Sequence, residues 1–186
     1  MIRTIVEERT KNVAVMDVFS KLIQERIIFI DEEIDSELAN GVIAQMIYLD
    51  SVDSKKPINV YINTPGGSVY DGLAIYDISR LIKAPIRTVS MGLVASMGII
   101  LMLMGTERCA TKNCAFMIHQ PSTMAYGPAA DIEITAKMII SLKEKMFQII
   151  SEHTGQPADK IKTDAERDYW LSVDEAKEYG LITKIL

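Results

Sequence analysis

Histidine is nearly absent from this chain. His119 and His153 are the only two in 186 residues, so any acid or base built on histidine must be one of them. Cysteine is as scarce: Cys109 and Cys114 have four residues between them and no histidine or further cysteine nearby. That excludes a zinc pattern and a redox CxxC, and leaves two reduced thiols in a pair of strands. Basic charge is lacking too. Against 25 Asp and Glu stand 20 Lys and Arg, and a net charge of -5 gives no electrostatic reason to expect nucleic acid or an anionic membrane as partner. The uncharged stretch from Gly92 to Thr106 is too short to cross a membrane. The amino-terminal MIRTIVEERTKNVAV carries charges throughout, unlike a secretory signal, so a cytoplasmic address is expected. Nucleotide-binding loops are missing as well, because TPGGSVYDG fits neither GxxxxGK[ST] nor GxGxxG.

What is present is the balance of an ordinary globular protein, 48% hydrophobic and 24% charged, in a length suited to one domain with a sizeable core. Residues 16–25 have helical apolar spacing and RIIFI reads as a strand. From Ser36 to Leu49, Leu38, Val42, Met46 and Leu49 mark one face of a helix. INVYIN is a strand, Thr64 to Gly67 a turn, and a helix follows to about Ile82. IRTVSM is again strand-like, and Gly92 precedes a second small-residue entry into an apolar segment near Ser96. Residues 107–118 suggest two short strands, and residues 129–152 a long helix. Ser172 and Glu175 have capping-box spacing, with Gly180 closing the short helix before the strand LITKIL. Strands alternating with helices over this length predict an α/β fold with largely parallel strands and right-handed crossovers.

Two of the twelve serines have glycine-rich surroundings. Ser68, directly after Gly66 and Gly67, is placed to cap the following helix. Ser96 stands in GLVASMG, where small neighbours leave room for a substrate backbone and the next helix offers its first amides to a developing oxyanion. It is equally placed to be an N-cap, and Val94 breaks the GxSxG elbow. His119 closes the apolar strand AFMI just before Gln120 and Pro121, a strand-end position that suits either a structural or a catalytic imidazole. His153 lies where a helix C-terminus favours a cation or imidazole, which reads as structural. Among twelve aspartates, nothing local selects one to orient the base.

Read in order, YINTPGGS, GLVASMG, MIHQP, HTGQPADKI and ERDYWLSVDEAKEYGLI closely resemble the Clp protease family from about Thr10 to Ile185. The resemblance implies a serine endopeptidase with Ser96 as nucleophile, His119 as base and Asp168 orienting the base. The amides of Gly67 and Met97 would then hold the oxyanion. It implies a single Clp protease/crotonase-like domain over residues 1–186, made of repeated β-β-α units. Residues 1–15 would form an axial segment, and a strand-helix handle over about 117–152 would protrude. It further implies two stacked heptamers enclosing a chamber, with Glu166, Arg167 and Asp131 as ring-contact candidates. Unfolded polypeptide would be fed in by an AAA+ unfoldase hexamer of the ClpX, ClpA or ClpC type. That partner uses the ATP, so no cofactor belongs to this chain.

After HQP the text STMAYGPAAD departs from the family pattern, with Thr123 and Met124 in place of a glycine pair and Pro128 where glutamine is common. The departure keeps open a divergent paralogue that works only in a mixed ring. An acyl-CoA enzyme of the crotonase fold is the remote alternative.

Overall fold

The computed structural model describes residues 4–9 and 12–186, with side chains from Met16 onward. Part of the expected axial segment, residues 1–3, 10 and 11, lies outside the described residues. An antiparallel hairpin of β1 (Thr4–Arg9) and β2 (Asn12–Asp17) leads into α1 (Val18–Gln24), whose N-cap Asp17 accepts from the Ser20 amide at 3.0 Å. The chain then alternates: β3 (Ile27–Ile30), α2 (Ser36–Val52), β4 (Ile58–Thr64), α3 (Val69–Leu81), β5 (Ile86–Ala95) and α4 (Met97–Leu103). β6 (Glu107–Ala110) and β7 (Ala115–Ile118) follow, then α5 (Ala129–Thr154), α6 (Ala158–Asp164), β8 (Tyr169–Leu171), α7 (Val173–Tyr179) and β9 (Lys184–Ile185).

Strands β3, β4, β5, β6 and β9 pair in that order, every pair parallel, as strand-helix alternation requires. Apolar strand faces such as Ile58, Val60 and Ile62 of β4, with helices packed over them, build one contiguous core around α4, all seven of whose residues are buried.

β5 is longer than its sequence signal because it serves two neighbours on one edge. Residues 87–90 pair with β6, and residues 93–95 with β7. The two short strands are thus not partners of each other, and the strand pair expected around Cys109 and Cys114 does not form. Both thiols are buried and free, and burial pushes the Cys114 thiol up to about 12. On the other edge of β5, the β4–β5 ladder shifts register between Ile62 and Thr64, and there the Asn63 carboxamide oxygen accepts from the Leu93 amide at 3.0 Å.

Helix α5 is buried only from Leu142 onward, so its first three turns, Ala129 to Met138, are largely exposed. The segment between β7 and α5 has no strand, so the strand half of the expected handle ends at Ile118. Pro128 is the N-cap of α5: its carbonyl accepts from Asp131 and Ile132, and the donor it lacks is one the helix has no use for. Its presence therefore favours helix initiation rather than disturbing it.

His153 occupies the last turn of α5, but its imidazole does not serve the helix end. Its Nε2 meets the Tyr76 hydroxyl at 2.8 Å, while Arg108 takes the carbonyls of His153 (3.3 Å), Gly180 (3.1 Å) and Leu181 (2.8 Å), tying the ends of α5 and α7 together. Burial first, then the Arg108 and Arg80 cations, hold the His153 pKa below its ordinary 6.5. The folded state therefore binds this proton less readily than the unfolded chain. Stability is complete above about pH 6.5 and declines as pH falls below it, until the folded pKa is passed. Between about pH 7.5 and 5.5 the thermal midpoint is expected to fall, and the fall to be shallower in His153→Gln. Parallel pH dependences in the two proteins, read by differential scanning fluorimetry, would contradict the assignment.

Candidate active site

Parallel strands deliver their carboxyl ends to one edge of a sheet, and β4, β5 and β7 end there in the Thr64–Gly67 turn, Ser96 and His119. Ala95 pairs with Met117, which sets Ser96 one step from the ladder beside Ile118. β8 runs antiparallel to β7 with Ile118 opposite Tyr169, so the next pair along is His119 opposite Asp168. Register alone thus brings together three residues drawn from three segments.

Ser96 adopts φ 54° and ψ -122°, a left-handed backbone that costs a non-glycine residue about 1–3 kcal/mol. Its amide donates to Met117 O at 2.9 Å and its carbonyl accepts from Ile99 at 3.0 Å. The N-cap reading of its side chain does not hold: Oγ makes no capping bond and instead lies 2.7 Å from His119 Nε2. On the far side of the ring, His119 Nδ1 is 3.2 Å from Asp168 Oδ1. With the Nδ1 proton donated to the carboxylate, Nε2 is left as the acceptor for the serine hydroxyl. The His119 and Asp168 side chains are 30% and 61% exposed, so the site opens to solvent.

The glycine turn closes against this serine. A Cβ on Gly66, at φ 103°, would stand 2.6 Å from Ser96 Cβ and 2.9 Å from Ala95 O. Gly67, at φ 146°, makes a parallel bridge to Ile34 in which Gly66 O accepts from Ile34 and Ile34 O from Ser68. In that bridge the amide of Gly67 itself is directed away from Ile34. The amide of Met97, first residue of α4, has no intrahelical acceptor. Ser68 is the N-cap of α3, accepting from Asp71 at 3.4 Å, as its position suggests.

One residue of the site escaped sequence reasoning. The buried Thr64 donates its hydroxyl to Glu32 O at 2.6 Å and accepts from the Gly66 amide at 3.1 Å, fixing the turn from beneath. Its signal was available, since a threonine two residues ahead of a glycine turn is an ST-turn. Glu166 and Arg167 are exposed in the loop before Asp168, and Asp131 is exposed in the first turn of α5. Among the described residues no cluster of three or more His, Cys, Asp or Glu side chains is arranged to hold a metal, and no helix is long and apolar enough to cross a membrane.

A serine, an imidazole and a carboxylate in hydrogen-bonded series at the carboxyl edge of a parallel sheet define a serine-hydrolase arrangement. The family model for Clp protease matches residues 9–186. An ATP-dependent Clp protease proteolytic subunit of Bacteroides fragilis is 48% identical over 184 residues, covering 98% of this chain and 89% of that one. Its counterpart in Porphyromonas gingivalis is 47% identical over 98% of this chain and 83% of its own, and subunit 1 of Salinibacter ruber 44% over 100% and 81%. The chain belongs to the Clp protease family, and it is a serine peptidase.

Gly66→Ala tests the packing just described. The methyl would force Ser96 or Ala95 to move, and a reacting group displaced by about 1 Å loses on the order of 100-fold in rate. Peptide hydrolysis by this variant is expected to fall by that factor with helix content unchanged in circular dichroism; near-normal hydrolysis would show that the close approach is not needed.

Proposed function

We propose that Ser96, His119 and Asp168 are the catalytic triad of this peptidase, a reading carried by the 2.7 Å contact between Ser96 Oγ and His119 Nε2. Ser96 Oγ attacks the peptide carbonyl carbon while its proton passes to His119 Nε2. The carbonyl π electrons move onto oxygen, forming a tetrahedral oxyanion that accepts from the amides of Gly67 and Met97. Collapse breaks the C–N bond, and His119 gives its proton to the departing amine, leaving an acyl-serine. Water then attacks the ester with His119 again as base, releasing the acid and restoring the hydroxyl. Asp168 fixes the imidazole tautomer and stabilises the imidazolium without itself being protonated.

The relatives' names describe ATP-dependent proteases and their proteolytic subunits. On that footing the substrate is unfolded polypeptide, delivered by an AAA+ unfoldase that hydrolyses the ATP, and this chain uses no cofactor of its own. Its copies stack as two heptameric rings around a chamber in the cytoplasm. The exposed first turns of α5 support its reading as a handle between rings, with Asp131, Glu166 and Arg167 at the contacts. The whole chain then forms one peptidase domain with the handle as its projection.

Incubation of the purified protein with a fluorophosphonate, followed by peptide mass spectrometry, is expected to place one adduct on Ser96 and none in Ser96→Ala. Native mass spectrometry of the same sample reports the ring state. Absence of labelling in an assembled double ring would overturn the triad reading.

A further inference from the structure

Asp168 is the least anchored member of the triad. Its side chain is 61% exposed, and among the described residues the carboxylate has no hydrogen-bond partner but His119. Its position must therefore come from the backbone of the loop that carries it. That loop is fixed behind by the amides of Ala165 and Glu166, bonded to Ile161 O and Thr163 O of α6, and ahead by the pairing of Tyr169 with Ile118; across its middle it is held by the side chain and amide of Gln120, the neighbour of the base. The Gln120 amide donates to Ala165 O at 3.0 Å, and its side-chain Nε2 donates to Glu166 O at 3.2 Å. The other end of the carboxamide, Oε1, accepts from Lys143 Nζ at 3.2 Å, and the same ammonium lies 5.9 Å from the centre of the Phe147 ring on α5.

We propose that Gln120 is a positioning residue for Asp168 and that Lys143 reinforces the direction of its carboxamide, so that helix α5 acts on the triad through one side chain. The chemistry calls for an amide. A loop carbonyl needs a donor and an ammonium needs an acceptor, and glutamine supplies both from one planar group. The lysine cation reinforces the orientation that Glu166 O favours, since the flip would turn oxygen toward the carbonyl and the amide nitrogen toward the ammonium. Glutamate at this position keeps the size and strengthens the Lys143 contact, yet presents only acceptors to the loop carbonyl. Because His119 and Gln120 are adjacent, the same short segment then holds both the base and the loop that orients it.

The inference rests on Asp168 being the orienting carboxylate, and the experiment separates failure of the two. Second-order labelling of Ser96 by a fluorophosphonate is followed in the full-length assembled protein for Gln120→Glu, Lys143→Met, Asp168→Asn and the two doubles with Asp168→Asn. Gln120→Glu is expected to slow labelling about tenfold, and Lys143→Met several-fold, with little change in KM for a small peptide. Asp168→Asn is expected to cost on the order of 10⁴ in kcat. On the Asp168→Asn background neither substitution should slow labelling further, since a positioning residue has nothing left to position. Equal losses on both backgrounds would show that Gln120 acts through the fold generally and would overturn the proposal while leaving the triad intact. No loss in Gln120→Glu overturns it as well. Full activity in Asp168→Asn sinks the triad reading and takes this one with it. Should Gln120→Glu fail to assemble, Lys143→Met, whose substitution keeps an apolar stem beside Phe147, decides the same point by the same comparison.

Discussion

Ser96 holds a backbone conformation that residues with a Cβ avoid, and three segments converge to keep it there. Its amide is bound to Met117 of β7, its Cβ is backed by Gly66, and its carbonyl is taken into the first turn of α4. The cost of about 1–3 kcal/mol is offset by the burial of every residue of α4, whose apolar side chains contribute roughly 1.5–3 kcal/mol each when fully buried. Released from the capping role that a serine at a helix start would normally take, Oγ faces the imidazole. The rest of the site follows from this placement, because the Thr64 hydroxyl, Gly66 and the β5–β7 pairing all converge on the same point.

How far the sequence discloses this arrangement depends on the range of the interaction. His119 was reachable because only two histidines exist, and Ser96 because small residues flank it. The helices from Ser36 and Val69, and the capping box at Ser172 and Glu175, are local patterns and were readable as such. Asp168 was reachable only through family resemblance. Its pairing with His119 spans 49 residues and depends on β8, three residues long and separated by a four-residue loop from a short helix that periodicity also missed. The same applies to β6 and β7: each has a visible strand signal, but their separate places along β5 are a register, and register is not written in either strand.

His153 shows how a right position can carry a wrong mechanism. The end of α5 does attract a cation, but it is Arg108 from β6 that supplies it, leaving the imidazole to pack neutral against Tyr76. The arginine also braces the carbonyls that close α7, so the ends of α5 and α7 are fixed to each other. The first turns of α5, Ala129 to Met138, are by contrast largely exposed. One helix thus joins an exposed projection to the buried surroundings of the triad, with Lys143 close to the boundary between them.

The central claim is that the backbone at Ser96 and Gly67 is already shaped for a tetrahedral oxyanion. A crystal structure of the protein with a peptide boronate bound tests it directly. The account predicts a bond from Ser96 Oγ to boron and one boronate oxygen about 2.7–3.1 Å from the amides of Gly67 and Met97, with Ser96 φ unchanged. A boronate oxygen turned away from both amides, or a Ser96 backbone that must change to form the adduct, would contradict it.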